Sequence, residues 1–393
     1  MKLSEIQSAL TSLDLEAWLL YDFRGINPIS QNAAGLTGLN ITRRWFCLIP
    51  AQGEPHWLIH KIETSNFVDV PGQVSLYAGW QELNAEMKSL LANVNTVAME
   101  YSPNAAIPYV SRVDAGTLEW IRSYGVAVTS SAELAQYVEA PLSQAQFEGH
   151  QKSAYQVLQA KDYAFNWIGD QLKAGNTITE YDVQQEILKQ FDEMQLTTEH
   201  PPIVAVNANS GDPHYAPNES RADQIKAGDY ILIDLWAKQK DADAVFADTT
   251  WVAYAGAIVP EKYEEIFEIV KEARNRAVAF IREKWAANEP IPAYTVDDCV
   301  RGYITEKGYG DYFIHRTGHN IGTVIHGNGA NLDNLETHDA RILIPGVCFS
   351  IEPGIYLNDF GVRTEIDVYL SEAAKDGVIL TTAPVQNQVL TLL

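Results

Sequence analysis

Basic residues are scarce in this chain. Against 51 aspartates and glutamates stand 28 lysines and arginines in 393 residues, a formal net charge of −23. The longest basic cluster is Arg43-Arg44. Without a basic patch, nothing offsets the long-range repulsion from a phosphate backbone or an anionic lipid surface, so nucleic acid and membranes are excluded as expected partners. Cysteine is also rare. Cys47, Cys299 and Cys348 are an odd number with no close pair, which rules out a disulfide framework, a zinc knuckle and a CxxC redox site. No stretch approaches the ~20 consecutive apolar residues of a membrane span. The opening MKLSEIQSAL lacks a charged segment followed by an apolar one, so a cytoplasmic protein is expected.

What is present is ordinary for a globular enzyme: 46% hydrophobic residues and enough length for two domains. The first part alternates strand and helix. AWLLYD (17–22), RWFCLIP (44–50), PHWLIH (55–60), VSLYAGW (74–80), TVAMEY (96–101) and VAVTSS (126–131) read as strands, with helical patterns near 3–13, 81–93 and 109–123. His56 and His60 share this region with no carboxylate cluster and read as packing residues. An α/β domain over 1–137 without chemistry of its own is expected, followed by a second domain over 138–393.

Within the second domain one plan occurs twice. Ala154, Val157, Leu158, Ala164, Phe165, Ile168 and Leu172 lie at helical spacing up to Gly175. Thr179-x-x-Asp182 starts a shorter helix, and IVAVNA and the hairpin strands 230–237 and 244–254 follow. After Pro260 come a long helix carrying Ile266, Val270, Ala277 and Ile281, a shorter one opened by Thr295-x-x-Asp298, and strands over 347–357 and 362–370. The repeated order predicts an α+β domain of two similar halves related by a pseudo-two-fold axis. Between the hairpin strands, KQKDADA (238–244) mixes charges with small residues and is expected to be a solvent-exposed tip.

Both halves end in strands that carry acids among apolar residues. Asp234 interrupts ILIDLW, and Asp248 shares a strand face with Thr250. Glu352 is flanked by Phe349, Ile351, Ile355 and Tyr356, and in GVRTEIDVYL the alternation places Arg363, Glu365 and Asp367 on one side. A carboxylate taken out of water costs several kcal/mol or more unless it is paired or coordinated. The four carboxylates with His319 make an oxygen-rich set with one nitrogen, which suits a pair of Mn²⁺, Co²⁺, Fe²⁺ or Zn²⁺ ions rather than one structural zinc.

Asp234, Asp248, His319 in HRTGH, Glu352 in EPG and Glu365 in VRTE resemble, in order and setting, the five ligands of the pita-bread metallopeptidases, the group of prolidase, aminopeptidase P, methionine aminopeptidase and creatinase. The resemblance implies an α/β N-terminal domain joined to a pita-bread catalytic domain, and two divalent metal ions, Mn²⁺ foremost. It implies hydrolysis of Xaa-Pro bonds in a small peptide by a metal-bridged hydroxide, and a homodimer. Carried over by position, His214 in DPHY and His326 are implied to be catalytic, with Glu352 as general base as well as ligand. His315 and Arg363 are implied to bind substrate. For each histidine the competing reading is a hydrogen-bonded core residue.

Two departures from the family pattern stand out: the hairpin connection AKQKDADAVFA is long, and Trp251 stands where an arginine is common. Other readings are an Xaa-Pro aminopeptidase acting on longer peptides and a non-catalytic binding protein of the same fold. The latter, like a metal-free creatinase-like enzyme, is disfavoured because all five ligand positions are filled.

Overall fold

Alternation along one strand, AWLLYD, organises the start of the chain in the computed structural model, which describes residues 1–393. The chain divides into two compact units, Met1–Glu139 and Ala140–Leu393. The first contains α1 (Leu3–Ser12), β1 (Ala17–Asp22), α2 (Pro28–Ala34), β2 (Trp45–Pro50), β3 (His56–His60), β4 (Gln73–Tyr77), α3 (Trp80–Leu90), β5 (Thr96–Met99), α4 (Ala115–Arg122), β6 (Ala127–Ser130) and α5 (Ala132–Glu139). Its strands form one sheet in the order β4-β3-β2-β1-β5-β6. Trp18 and Leu20 of β1 join a core with Leu10 of α1, Ile29 of α2 and Leu134 of α5. Ala17, Leu19 and Tyr21 point the other way, against Leu83 and Met87 of α3 and Ile121 of α4. Both faces of the sheet are therefore covered, which is why β1 is apolar in nearly every position.

The expected strands of this unit are all present. The third helix starts at Ala115 rather than near 109, because Pro108–Val110 is a single 3₁₀ turn and the Asp114 side chain caps the helix at the Thr117 amide. The short helices α2 and α5 have too few turns for a periodic signal to stand out.

The second unit opens with α6 (Gln144–Lys173), β7 (Ile178–Thr179), α7 (Glu180–Glu193), β8 (Leu196–Thr197), β9 (Ile203–Val206), β10 (Gln224–Ile225), β11 (Tyr230–Gln239) and β12 (Ala247–Tyr254). Capping boxes at Ser143/Gln146 and Thr179/Asp182 start the two helices, and Gly175, at φ +77°, takes the left-handed turn after α6. Then follow α8 (Glu261–Ala286), α9 (Ala293–Glu306), β13 (Asn320–Ile321), β14 (Cys348–Ile351), β15 (Gly354–Tyr356), β16 (Gly361–Arg363), β17 (Ile366–Leu370), β18 (Val378–Leu380) and β19 (Leu390–Thr391). Val157, Phe165 and Ile168 of α6 and Ile187 of α7 pack on Ile231, Ile233 and Leu235 of β11. A second core joins Ile266, Val270 and Ile281 of α8 and Val300 of α9 to Phe349, Ile351, Ile366 and Val368.

Three expectations need correction. Helix α9 starts at Ala293, directly after Pro292, without a side-chain cap; the Thr295 hydroxyl donates to the Pro292 carbonyl and Asp298 accepts from Asn334. The fixed φ of Pro292 opens the helix before the Thr-x-x-Asp pattern is reached.

The strands expected over 347–357 and 362–370 are each broken in two. β14 pairs with β17 in a sheet of order β13-β14-β17-β18, whereas β15 and β16 form a separate two-stranded sheet. The breaks fall at Glu352-Pro353 and Thr364-Glu365. Pro353 has no N–H to continue a ladder.

The segment 238–244 is not wholly a tip. Lys238 and Gln239 continue β11 and pair with Thr197 and Leu196 of β8, Lys240–Asp243 are exposed, and Ala244, Val245 and Phe246 are buried.

Candidate metal centre

Strand register sets the first two acids. Asp234 lies opposite Thr250 and Trp236 opposite Asp248, so Asp234 and Asp248 are diagonal neighbours on one face of the β11–β12 pair. The opposite face, carrying Ile233, Leu235 and Trp251, packs under α6. Trp251 therefore points away from the acids, with the Lys161 ammonium 3.6 Å above its ring. The tryptophan that departs from the family pattern belongs to the helix-covered face and not to the site.

The two glutamates come from the strand breaks. At each break the backbone N–H is taken up by a different segment: Glu352 donates to the Thr317 carbonyl at 2.8 Å and Glu365 to the Thr250 carbonyl at 3.2 Å. This turns both side chains toward Asp234 and Asp248. Thr250 closes the seam through its hydroxyl, which donates to Glu365 Oε2 at 2.7 Å. Asp367 closes it again, accepting from the Asp248 backbone N–H at 2.8 Å.

His319 completes the group. Its Nε2 lies 3.7 Å from Asp248 Oδ2 and 3.5 Å from Glu352 Oε1, and its Nδ1 faces the Asn320 carbonyl at 3.3 Å. A carbonyl only accepts, so Nδ1 carries the proton and Nε2 turns its lone pair to the carboxylates. Ligand atoms of Asp248, His319 and Glu365 lie within 4.8 Å of one another.

The electrostatics are those of a site made for cations. Burial first, and then mutual repulsion among Asp234, Asp248, Glu352 and Glu365, push the Asp248 and Glu365 carboxyls well above the usual carboxylate range. Burial likewise raises Glu352 to about 7, with Arg363 pulling down and Asp234 pushing up. Burial holds His319 well below the ordinary imidazole value, which leaves it neutral and ready to ligate. Buried oxygens Asp234 Oδ1 and Asp248 Oδ1 have no hydrogen-bond partner. Each such group costs about 1–3 kcal/mol, more when charged, and divalent cations satisfy them with oxygen ligands of the right chemistry. The chemistry of this donor set therefore fits divalent metal.

Around this group the four expected accessory residues fall into two pairs. His326 is exposed, and its ring centroid is 4.4 Å from that of His319. Although the residue is exposed as a whole, its ring is partly desolvated against His319, and this, then Arg316, lowers its pKa to about 4; His214, exposed on the loop after 207–211, is close enough to add to the shift. These two histidines stand at the mouth.

His315 and Arg363, expected to meet substrate, are both bonded to the Tyr356 hydroxyl. His315 Nδ1 donates to the Arg316 carbonyl, so Nε2 accepts from the Tyr356 hydroxyl at 2.7 Å. Arg363 is 3% exposed and donates to Tyr356, to Thr250 and to the Asp234 carboxylate. Arg363 lies against Asp234 because a buried guanidinium beside four carboxylates is drawn to the nearest of them.

Sequence reasoning gave no role to Tyr356, Thr250 or Asp367. Asp367 had a signal, its place in the Arg363–Glu365 row. Tyr356 and Thr250 read as strand residues, and only the fold brings them to the acids.

The sequence model of metallopeptidase family M24 matches residues 149–372, and the chain belongs to that family. The pita-bread resemblance read from the five ligand positions is thereby confirmed. Among curated proteins the chain is 36% identical to the Xaa-Pro dipeptidase of Pyrococcus furiosus over 171 residues, covering 43% of this chain and 44% of that protein. It is 34% identical to the Xaa-Pro dipeptidase of Lactobacillus helveticus over 209 residues, covering 52% and 51%. The matches thus span about half the length of these relatives. In fold the chain is similar to dipeptidase PepE from Mycobacterium ulcerans, with a TM-score of 0.69 at 18% identity over 99% of this chain and 96% of that one. The prolidase from Pyrococcus horikoshii gives 0.61 at 20% identity over 99% of both chains. No helix is long and apolar enough to cross a membrane.

Proposed function

We propose that the protein is a dinuclear-metal-dependent peptidase that cleaves Xaa-Pro dipeptides, in the manner of the Xaa-Pro dipeptidases it resembles. The observation that carries this reading is the convergence of four carboxylates and one neutral imidazole from separated strands, with carboxylate oxygens buried and unpartnered. Asp234, Asp248, His319, Glu352 and Glu365 would hold the ions. Once bound there, two divalent ions, Mn²⁺ foremost, would acidify a water and polarise the scissile carbonyl.

The chain's own residues do the rest. Glu352 takes the proton of the attacking water and passes it to the leaving nitrogen. His326 and His214, at the mouth, contact the peptide and steady the oxygen that becomes negative as the carbonyl is attacked. Arg363 and Thr250 hold Asp234 and Glu365 in place. The reading includes a cytoplasmic homodimer, the pairing implied by the family resemblance, and a pseudo-two-fold relation between the halves of about 147–254 and 260–370, suggested by their repeated element order.

An Xaa-Pro amide has no N–H, so a site that grips its substrate by strand pairing gains little from it. A site built of carboxylates and histidines around the carbonyl needs no such donor. The short link from Glu352 to Glu365, which carries β15 and β16, offers no added wall for a long peptide and favours the dipeptide. The test is kcat/KM on Xaa-Pro, Xaa-Pro-Yaa and Xaa-Ala with Mn²⁺ supplied. Xaa-Pro should be cleaved fastest; equal rates on Xaa-Ala overturn the proline preference, and faster tripeptide cleavage makes the protein an aminopeptidase.

A further inference from the structure

Beyond the two acids on its strands, the long hairpin between Asp234 and Asp248 meets the loop that presents His326. That loop closes on itself, with Gly327 N–H donating to the Asn320 carbonyl at 2.8 Å and Gly322 N–H to the Val324 carbonyl at 3.1 Å. Its outer carbonyls turn to the hairpin. Phe246 N–H donates to the Gly322 carbonyl at 3.0 Å, and Lys238 Nζ donates to the Thr323 carbonyl at 2.6 Å.

Beneath the loop, Ile321 and Ile325 pack on Val245 and Phe246 in a small buried cluster. The Lys238 ammonium also sits 5.0 Å from the Phe246 ring centroid, so the ring that floors the loop and the cation that ties it belong to one hairpin. A charge-assisted bond from an ammonium to a carbonyl is about twice as strong as a neutral one, and it falls three residues before His326. Val324 and His326 themselves are exposed, so the polar ties at Gly322 and Thr323 hold a segment with little packing above it.

We propose that Lys238 is the positioning residue of His326: the β11–β12 hairpin is a clamp whose lysine holds the 321–326 loop, and with it the His326 ring, over the metal-ligand group. The role in catalysis rests on the peptidase reading above, whereas the clamp itself does not. The long connection that sets this chain apart thereby has a function. It extends β11 far enough to bring Lys238 beside the loop and then returns Val245 and Phe246 beneath it.

The experiment compares wild type with Lys238→Met, Lys238→Arg and, as a control on the exposed tip, Lys240→Met, whose native side chain pairs with Asp192. Amide hydrogen exchange at 322–326 is measured on each purified Mn²⁺-treated protein, together with kcat and KM on Ala-Pro and metal content by mass spectrometry. Lys238→Met should exchange at 322–326 about tenfold faster and lose about fivefold in kcat, with KM changed less than twofold and metal content unchanged. Lys238→Arg should restore at least half of both effects, and Lys240→Met should match wild type. If Lys238→Met does not fold, Lys238→Gln, whose donor is too short to span the gap, takes its place with the same expectations. Wild-type exchange at 322–326 in the folded variant, or an equal effect from Lys240→Met, overturns the clamp. A wild-type enzyme inactive on every Xaa-Pro substrate overturns the peptidase reading instead, and the exchange result still decides the clamp.

Discussion

The guanidinium of Arg363 donates to the carboxylate of Asp234 across 129 residues of sequence, joining the strand break of one half to the hairpin of the other. The same side chain bonds Tyr356 at 2.8 Å and Thr250 at 3.0 Å, so one planar fork sets three neighbours of the carboxylate group. It leaves Asp234 Oδ1 without a partner, turned to where a cation fits.

Arg363→Lys keeps the charge and loses the fork. Partners that orient a metal ligand typically contribute 10- to 100-fold in affinity, so Mn²⁺ binding by calorimetry should weaken by about that factor while the fold survives. Unchanged Mn²⁺ affinity would show that Asp234 needs no such support.

Glu365 lies where Asp248, His319 and Thr250 meet, and no nearby side chain replaces its oxygens. Glu365→Ala should lose at least one equivalent of bound metal by mass spectrometry and nearly all turnover. A variant with full metal and full turnover would remove Glu365 from the ligand set.

The pH dependence of the metal-free protein has a definite sign. Glu352 titrates near 7 in the fold against 4.5 ordinarily, through burial and then Asp234, eased by Arg363. Between those values the folded chain keeps a proton that the unfolded chain has released, so stability falls as pH rises through that window, by about 3 kcal/mol from this group. In chelator-treated protein, urea unfolding at pH 5 and pH 8 should show that fall, and Glu352→Gln should reduce it. Mn²⁺ should reverse the trend, because ligand carboxylates must be deprotonated and affinity rises with pH. A pH profile identical in wild type and Glu352→Gln would contradict the assignment.

Much of this is legible in the sequence alone, and the reason differs by residue. Asp234 and Glu352 announced themselves because a carboxylate inside ILIDLW or FSIEPGIY has no apolar explanation. Ser143 and Thr179 start their helices by local hydrogen bonds, which sequence spacing records directly. The pairing of Arg363 with Asp234 and the part played by Tyr356 depend on strands that break and change sheets at Glu352-Pro353 and Thr364-Glu365, and no local pattern carries that. Lys238 looked like loop charge because its partner, the Thr323 carbonyl, is 85 residues away.

Trp251 tests the reading of the family departure. Its side chain is 7% exposed and lies on the α6 side of β12, beneath the Lys161 ammonium, itself buried at 3% exposure and drawn to Asp162. A tryptophan face beside a desolvated cation is worth about 2 kcal/mol or more, and an arginine in its place would set a second cation against the first in the same apolar layer. Trp251→Arg, which installs the residue common in the family, should therefore destabilise this chain by about 2–4 kcal/mol, read as a lower urea midpoint, while metal content stays at the wild-type level. If Trp251→Arg proves as stable as wild type, the Lys161 pairing does not explain the departure. Loss of metal without loss of stability would place position 251 at the site after all.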